Sequence, residues 1–78
     1  MDSLELEVYS IIAERVWSYD GIVDGDVRFE EDMGADSVEM LDVILECERR
    51  FNMVFTGNEE LSLKTAGDLV ELIRSKER

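Results

Sequence analysis

The chain has 78 residues, of which 45% are hydrophobic, and its 20 acidic and 8 basic residues give a net charge of −12. This length allows one domain, which we place at residues 1–78, and the hydrophobic share is too high for a disordered acidic tail. The negative charge argues against nucleic acid and anionic membranes as partners, and it favours a monomer that binds other proteins through their basic patches.

The cysteine count and the N-terminal sequence indicate the compartment. Cys47 is the only cysteine, which suits a reducing environment. No stretch has the length and apolarity of a membrane span, and residues 1–5 lack the basic region of a signal peptide. We therefore expect a cytoplasmic protein.

The first predicted helix covers residues 3–17, where apolar residues follow helical spacing, and it should end near residues 19–21. Residues 20–36 form a long connection that is rich in glycine and aspartate. A connection of this length in a small domain is usually functional or packed against the core. The residues expected to anchor it to the core are Ile22, Val23, Val27, Phe29 and Met33.

Within this connection, the segment that starts at Asp24 resembles the beginning of a calcium-binding loop. Arg28 and Phe29 then occupy the positions at which such a loop needs an oxygen ligand and a glycine. Histidine is absent and cysteine is single, so metal sites built from those ligands are excluded by composition. We therefore expect no specific metal site.

The second predicted helix covers residues 37–51 and has a clear start. Asp36 can serve as the N-cap and Glu39 as the third residue of a capping box, which makes Ser37 the first helical residue. An anion attached to the exposed Ser37 hydroxyl would lie in the favourable field of the helix N-terminus. The chain has no histidine that could activate this serine as a nucleophile, so the question is what becomes attached to it.

This second helix carries two apolar faces when its residues are placed at intervals of about 100°. The face expected to pack into the core consists of Met40, Val43, Ile44, Cys47 and Phe51. Roughly opposite lie Val38, Leu41 and Leu45, flanked by Asp42, Glu48 and Arg49. We interpret the second face as a docking surface whose carboxylates steer basic partners. The alternative is a central helix that is buried on both sides.

The last two helices are shorter. A helical turn is expected around residues 58–61, and a final helix follows Thr65, whose hydroxyl can cap it together with Asp68. The apolar face of the final helix consists of Ala66, Leu69, Val70 and Ile73. Lys76 and Arg78 lie near its C-terminal end, where cations are favoured.

Two segments of the chain resemble acyl carrier proteins. The first is FEEDMGADSVEML at residues 29–41, where a hydrophobic-Gly-Ala run precedes Asp36, Ser37 and Val38 at the place of the family's Asp-Ser-Leu signature. The second is ECERRF at residues 46–51, the end of the second helix. The resemblance covers nearly the whole chain and agrees in length, acidity and number of helices.

The resemblance implies an all-α fold, a four-helix bundle of the acyl-carrier type with a long first loop and a short third helix. It implies that Ser37 carries 4'-phosphopantetheine, added from coenzyme A by a phosphopantetheinyl transferase, with Asp36 beside it. The thiol of that arm, rather than Cys47, would hold an acyl group as a thioester for other enzymes. The chain itself would not be an enzyme.

By matching position, the resemblance also implies which residues contact other molecules. The residues that would dock acyl-chain-processing enzymes are Val38, Leu41, Asp42, Leu45 and Glu48. A bound acyl chain could fold back into the core formed by Val43, Cys47, Phe51, Leu69 and Ile73.

Three positions depart from the family pattern. Val38 replaces the usual leucine, Arg49 and Arg50 replace glutamates of the common fatty-acid carrier, and residues 55–57 replace an apolar-proline step. These departures leave open whether the chain serves fatty acid biosynthesis or a specialised lipid or polyketide pathway. The alternative function is an acidic helical interaction module without a prosthetic group.

Overall fold

The computed structural model describes residues 2–77 and confirms an all-α fold for them. Its four helices are α1 (Ser3–Arg15), α2 (Ser37–Phe51), α3 (Gly57–Leu61) and α4 (Ala66–Lys76). Within the described residues the only extended pairing is an isolated bridge between Arg28 and Thr65. Arg78, expected near the end of the last helix, lies outside the described range. None of the helices in residues 2–77 is long and apolar enough to cross a membrane.

Each helix begins with a capping box, in which the N-cap side chain accepts the N–H of the third helical residue and that residue's side chain accepts the N-cap N–H. The pairs are Asp2 with Glu5, Asp36 with Glu39, Thr56 with Glu59 and Thr65 with Asp68. The two predicted boxes, at α2 and α4, are therefore confirmed. The boxes at α1 and α3 were not predicted.

Helix α1 ends earlier than predicted. Val16 leaves the helical conformation, with φ −100° and ψ 85°, while its side chain stays buried in the core. The indole N–H of Trp17 donates to the Glu14 carbonyl at 2.8 Å, which satisfies one of the acceptors that every helix end leaves open. The helical spacing of apolar residues included Val16, whose side chain is buried although the residue lies outside the helix. The spacing therefore could not show that the helix ends at Arg15.

The core is built by α1 packing against both α2 and α4. The residues with no exposed surface are Val8, Ile11, Ile12, Val43, Cys47, Ala66, Leu69 and Ile73. The predicted apolar face of α4 is buried in full. The amphipathic patterns of α2 and α4 therefore place these helices correctly around one core.

The long connection between α1 and α2 is anchored by part of the predicted set. Val27, Phe29 and Met33 are buried and Val23 is half-buried, as expected. The prediction for Ile22 was wrong, because its side chain is 81% exposed. The Tyr19 hydroxyl donates to the Ile22 carbonyl at 2.8 Å, and this local turn lies on the surface.

Backbone hydrogen bonds tie this connection to the start of α4. The N–H of Phe29 donates to the Lys64 carbonyl at 2.9 Å, and the N–H of Ala66 donates to the Val27 carbonyl at 3.0 Å. The N–H of Gly67 donates to the Gly25 carbonyl at 3.0 Å. A Cβ at position 67 would lie 2.8 Å from that carbonyl oxygen, so this close approach requires glycine. The anchored connection delivers the chain to the start of α2 in a fixed position.

Candidate functional site

Ser37 is the first residue of α2, as predicted. Asp36 is extended, with φ −86° and ψ 176°, and its carboxylate accepts the Glu39 N–H at 2.8 Å. The Glu39 carboxylate in turn accepts the Asp36 N–H at 3.2 Å. Gly34 precedes this cap with φ +65°, a left-handed conformation that favours glycine. The local geometry at Ser37 therefore follows directly from its flanking residues.

The start of α2 suits an anion attached to Ser37. The Ser37 residue is exposed. The N–H of Glu39 is taken by the cap, and the N–H of Met40 makes the first intrahelical bond, to the Asp36 carbonyl at 3.0 Å. By helix geometry the N–H groups of Ser37 and Val38 have no intrahelical acceptor. A phosphodiester on the Ser37 oxygen would therefore meet two available donors and the positive end of the helix dipole.

The second apolar face of α2 is exposed. Val38 is 75%, Leu41 51% and Leu45 52% exposed, and we name these three residues the exposed stripe. The alternative of a helix buried on both sides is therefore wrong. The exposed stripe begins directly beside Ser37 and follows the helix for two turns.

The two acidic residues expected beside the exposed stripe also hold parts of the fold together. The Asp42 carboxylate accepts from the Arg15 guanidinium at 3.2 Å, which joins α2 to α1. The Glu48 carboxylate accepts the backbone N–H of Phe55 at 2.8 Å, which fixes the loop after α2. The sequence did not reveal either contact, because both partners come from other elements.

The opposite face of α2 lies in the core. Val43, Ile44 and Cys47 are buried, while Met40 and Phe51 are half-buried and pack against them. Burial raises the pKa of the Cys47 thiol to about 12, so the thiol stays protonated at neutral pH. The interpretation of Cys47 as a small buried hydrophobe rather than a reactive thiol is in keeping with this environment.

A cleft of about 630 Å³ opens beside Ser37, between α2 and α3. Its apolar lining comes from Phe29, Ala35, Met40, Leu41, Ile44, Leu61 and Leu63. The core residues among which an acyl chain was expected to lie, including Val43, Leu69 and Ile73, do not line it. The cleft instead follows the edge between the two faces of α2. The sequence could not predict it, because its second wall is α3, a helix without buried residues of its own.

A buried carboxylate at the other end of α2 was also missed. Glu46 is only 7% exposed, and its oxygens accept from Arg15 at 3.2 Å, Arg50 at 2.9 Å and Arg49 at 2.5 Å. Hydrogen bonds from Arg49, followed by those from Arg50, lower the pKa of Glu46, although burial opposes them. The spacing of Glu46 from Arg49 and Arg50 could have suggested a helical ion pair. The contribution of Arg15 from α1 could not have been read.

No group of three or more His, Cys, Asp or Glu side chains in residues 2–77 is arranged to hold a metal ion.

Comparison with known proteins gives a consistent result. The family model for the phosphopantetheine attachment site matches residues 10–73. An acyl carrier protein from Chlamydia caviae is 32% identical over 96% of this chain and 97% of its own length. An acyl carrier protein from Rickettsia bellii is 30% identical over 95% of this chain and 91% of its own length. One from Exiguobacterium sibiricum is 28% identical over 96% of this chain and 95% of its own length.

The fold has a solved counterpart as well. A structure from Mycobacterium tuberculosis, described as an acyl carrier protein, superposes with a TM-score of 0.85 over 95% of this chain and 99% of its own, at 22% identity. At that identity the likeness speaks for the fold alone. Because the family model spans most of the chain and a relative of nearly equal length is 32% identical to it, this chain belongs to the acyl carrier proteins, the family that carries a phosphopantetheine attachment site.

Proposed function

We propose that Ser37 is the attachment residue of this carrier and bears 4'-phosphopantetheine through a phosphodiester on its hydroxyl. The observation that carries the proposal is an exposed serine at a helix start, with the exposed stripe on one side and the cleft on the other. When attached, the arm supplies a terminal thiol that holds an acyl group as a thioester. A phosphopantetheinyl transferase donates the arm from coenzyme A.

The residues around Ser37 have distinct roles in this proposal. Asp36 holds the helix start in place through its bond to the Glu39 N–H. The N–H groups of Ser37 and Val38 face the attached anion and offset its charge. The side chains of the cleft shelter apolar parts of the arm and its cargo from water, since burying that surface is favourable.

The partner surface in this proposal is the exposed stripe together with Asp42 and Glu48. The three apolar side chains supply the contact area, and the carboxylates attract basic patches of the transferase and of acyl-chain-processing enzymes. Asp42 and Glu48 keep this role although each also holds a structural contact, because a carboxylate has more acceptor positions than one bond uses.

We also propose the setting in which the chain acts. The chain presents thioesters to visiting enzymes in fatty acid biosynthesis or in a specialised lipid or polyketide pathway, and it does not transform them itself. It acts in the cytoplasm, where its single cysteine suits the reducing environment. It acts as a monomer, since its dense negative charge disfavours self-association.

A mass measurement tests the attachment. The unmodified chain is incubated with coenzyme A and a broad-specificity transferase, and its intact mass is recorded beside that of Ser37→Ala. We expect the wild type to gain one phosphopantetheine and the variant to gain none. No gain by either protein, or the same gain by both, would refute the assignment, and the first result would favour an interaction module without a prosthetic group.

A further inference from the structure

Lys64 differs from the other cations in this acidic chain. Among residues 2–77, every other cation has a carboxylate oxygen within 4.0 Å, namely Arg15, Arg28, Arg49, Arg50, Arg74 and Lys76. In residues 2–77, no carboxylate oxygen lies within 4.0 Å of the Lys64 ammonium nitrogen. A cation without a partner is unexpected in a chain with a net charge of −12, because carboxylates are abundant.

The position of Lys64 relates it to Ser37. Both residues line the cleft between α2 and α3. The Lys64 carbonyl accepts the Phe29 N–H at 2.9 Å, and its own N–H donates to the Asp68 carboxylate at 3.0 Å. The backbone of Lys64 is therefore held at both polar groups, while its side chain remains exposed at the cleft.

The other charged residues of the cleft do not compete for an anion. Arg28 is occupied, since Glu31 lies 2.6 Å and Asp32 3.0 Å from its guanidinium nitrogens. Glu30, Glu31, Asp36 and Glu60 also line the cleft, and their carboxylates repel anions. Within the described residues, Lys64 is thus the one cleft cation whose charge is not already matched by a carboxylate.

We propose that Lys64 binds an anionic oxygen group of the arm attached at Ser37. Two such groups are available, which are the phosphodiester itself and a carboxylate at the far end of an acyl cargo. In the second case Lys64 favours cargo with a terminal carboxylate over neutral cargo of equal length, because a salt bridge then accompanies the apolar contacts of the cleft. The inference rests on the proposed attachment at Ser37.

The chain offers a direct test, because Lys64 and Lys76 are its only lysines. When the side-chain nitrogen of lysine is isotope-labelled, the NMR spectrum therefore contains two Nζ signals. The variants Lys64→Arg and Lys76→Arg show which signal belongs to which residue. Lys76 is an internal control, since its ammonium already lies 3.0 Å from both Glu59 oxygens. Spectra are compared for the unmodified chain, the chain with the bare arm, and chains with pentanoyl or glutaryl arms, each checked by intact mass.

The two sources of the anion predict different spectra. Binding of the phosphodiester shifts the Lys64 signal when the bare arm is added, whereas binding of a cargo carboxylate shifts it with glutaryl but not with pentanoyl. In either case we expect the Lys76 signal to move several times less. The proposal is overturned if Lys64 moves no more than Lys76 in every state, or if pentanoyl and glutaryl shift it equally without a shift from the bare arm. Failure to load the arm would appear in the mass and would refute the attachment at Ser37 instead.

Discussion

Helices α1 and α2 begin with almost the same local structure. Asp2 and Asp36 are both extended N-caps, at φ −82° and −86°, and each is followed by an exposed serine at the first helical position. The N–H of Glu5 reaches the Asp2 carboxylate at 2.9 Å, and the equivalent bond in α2 is 2.8 Å. The capping box and its backbone geometry therefore do not distinguish Ser3 from Ser37.

The surroundings of the two serines differ. Leu4, after Ser3, is half-buried against the core, whereas Val38, after Ser37, is 75% exposed and begins the exposed stripe. The Asp2 cap is also joined to α4, because its carboxylate lies 3.0 Å from the Arg74 guanidinium. Ser37 lines the cleft and Ser3 does not. The comparison indicates that tertiary context, rather than the capping box, makes a helix start accessible to a partner enzyme.

The largest expected effect comes from exchanging the two serines for alanine. Ser3→Ala should gain phosphopantetheine at the wild-type rate, and Ser37→Ala should gain none although its Ser3 remains in an equivalent cap. Intact mass over a time course with the same transferase measures both variants. Modification of Ser3 in the Ser37→Ala chain would show that the cap alone is sufficient.

A smaller effect is expected from a charge placed on the exposed stripe. Leu41→Arg should slow arm transfer about tenfold or more, because it removes an apolar contact and opposes basic partner patches. Leu6→Arg is the matched control, since Leu6 is 52% and Leu41 51% exposed but Leu6 lies on α1. The rate of mass gain at limiting carrier concentration measures the effect. Equal slowing by both variants would mean that transfer senses overall charge rather than this surface.

Substitution of Glu46 should affect stability without affecting the site. Glu46→Gln leaves three guanidinium groups facing one another beside a neutral, buried amide, so the unfolding midpoint should fall. Glu71→Gln, whose native carboxylate is 75% exposed and lies 3.7 Å from Arg74, should leave the midpoint almost unchanged. Under conditions in which the chains are folded, both variants should gain the arm at the wild-type rate. A selective loss of transfer in Glu46→Gln would show that the two ends of α2 are coupled.

The Glu46 contribution should depend on pH in one direction. Its folded pKa lies below the ordinary value of 4.5, chiefly because of Arg49. The stabilisation is therefore fully present above the ordinary value and is lost as pH falls through the lowered pKa. Denaturant unfolding of wild type and Glu46→Gln should show a difference at neutral pH that shrinks in acid. A difference that grows on acidification would contradict this assignment of charge.

The smallest effect is expected from Arg74→Gln. This change frees the Asp2 cap from α4, but both partners are partly exposed, so solvent already weakens their attraction. Amide hydrogen exchange should show slightly faster opening of the first turn of α1 and no change in the first turn of α2. Faster exchange at α2 would mean that the two helix starts are not independent.

The features that the sequence could predict are those that depend on neighbours along the chain. The start of α2 at Ser37, its two faces and the cap at Thr65 all follow from residues within a few positions of one another. The resemblance singled out Ser37 through residues 29–41, a longer segment than the cap that Ser3 shares.

The features that could not be predicted depend on contacts between distant segments. Arg15 reaches Glu46 from another helix, and α3 closes the cleft although it buries none of its own residues. The exposure of Ile22 and the end of α1 at Arg15 likewise depend on how the chain turns after Val16. Helical periodicity indicates which face of a helix is apolar, but it does not indicate which distant segments of the chain come into contact.

The most direct test of the account is the mass of the chain purified from the cell that makes it, followed by fragmentation to locate any adduct. We expect phosphopantetheine, with or without an acyl group, on the peptide that contains Ser37, and we expect the peptide around Ser3 to be unmodified. An unmodified chain in a cell that loads its other carriers, or an adduct on Ser3, would contradict it.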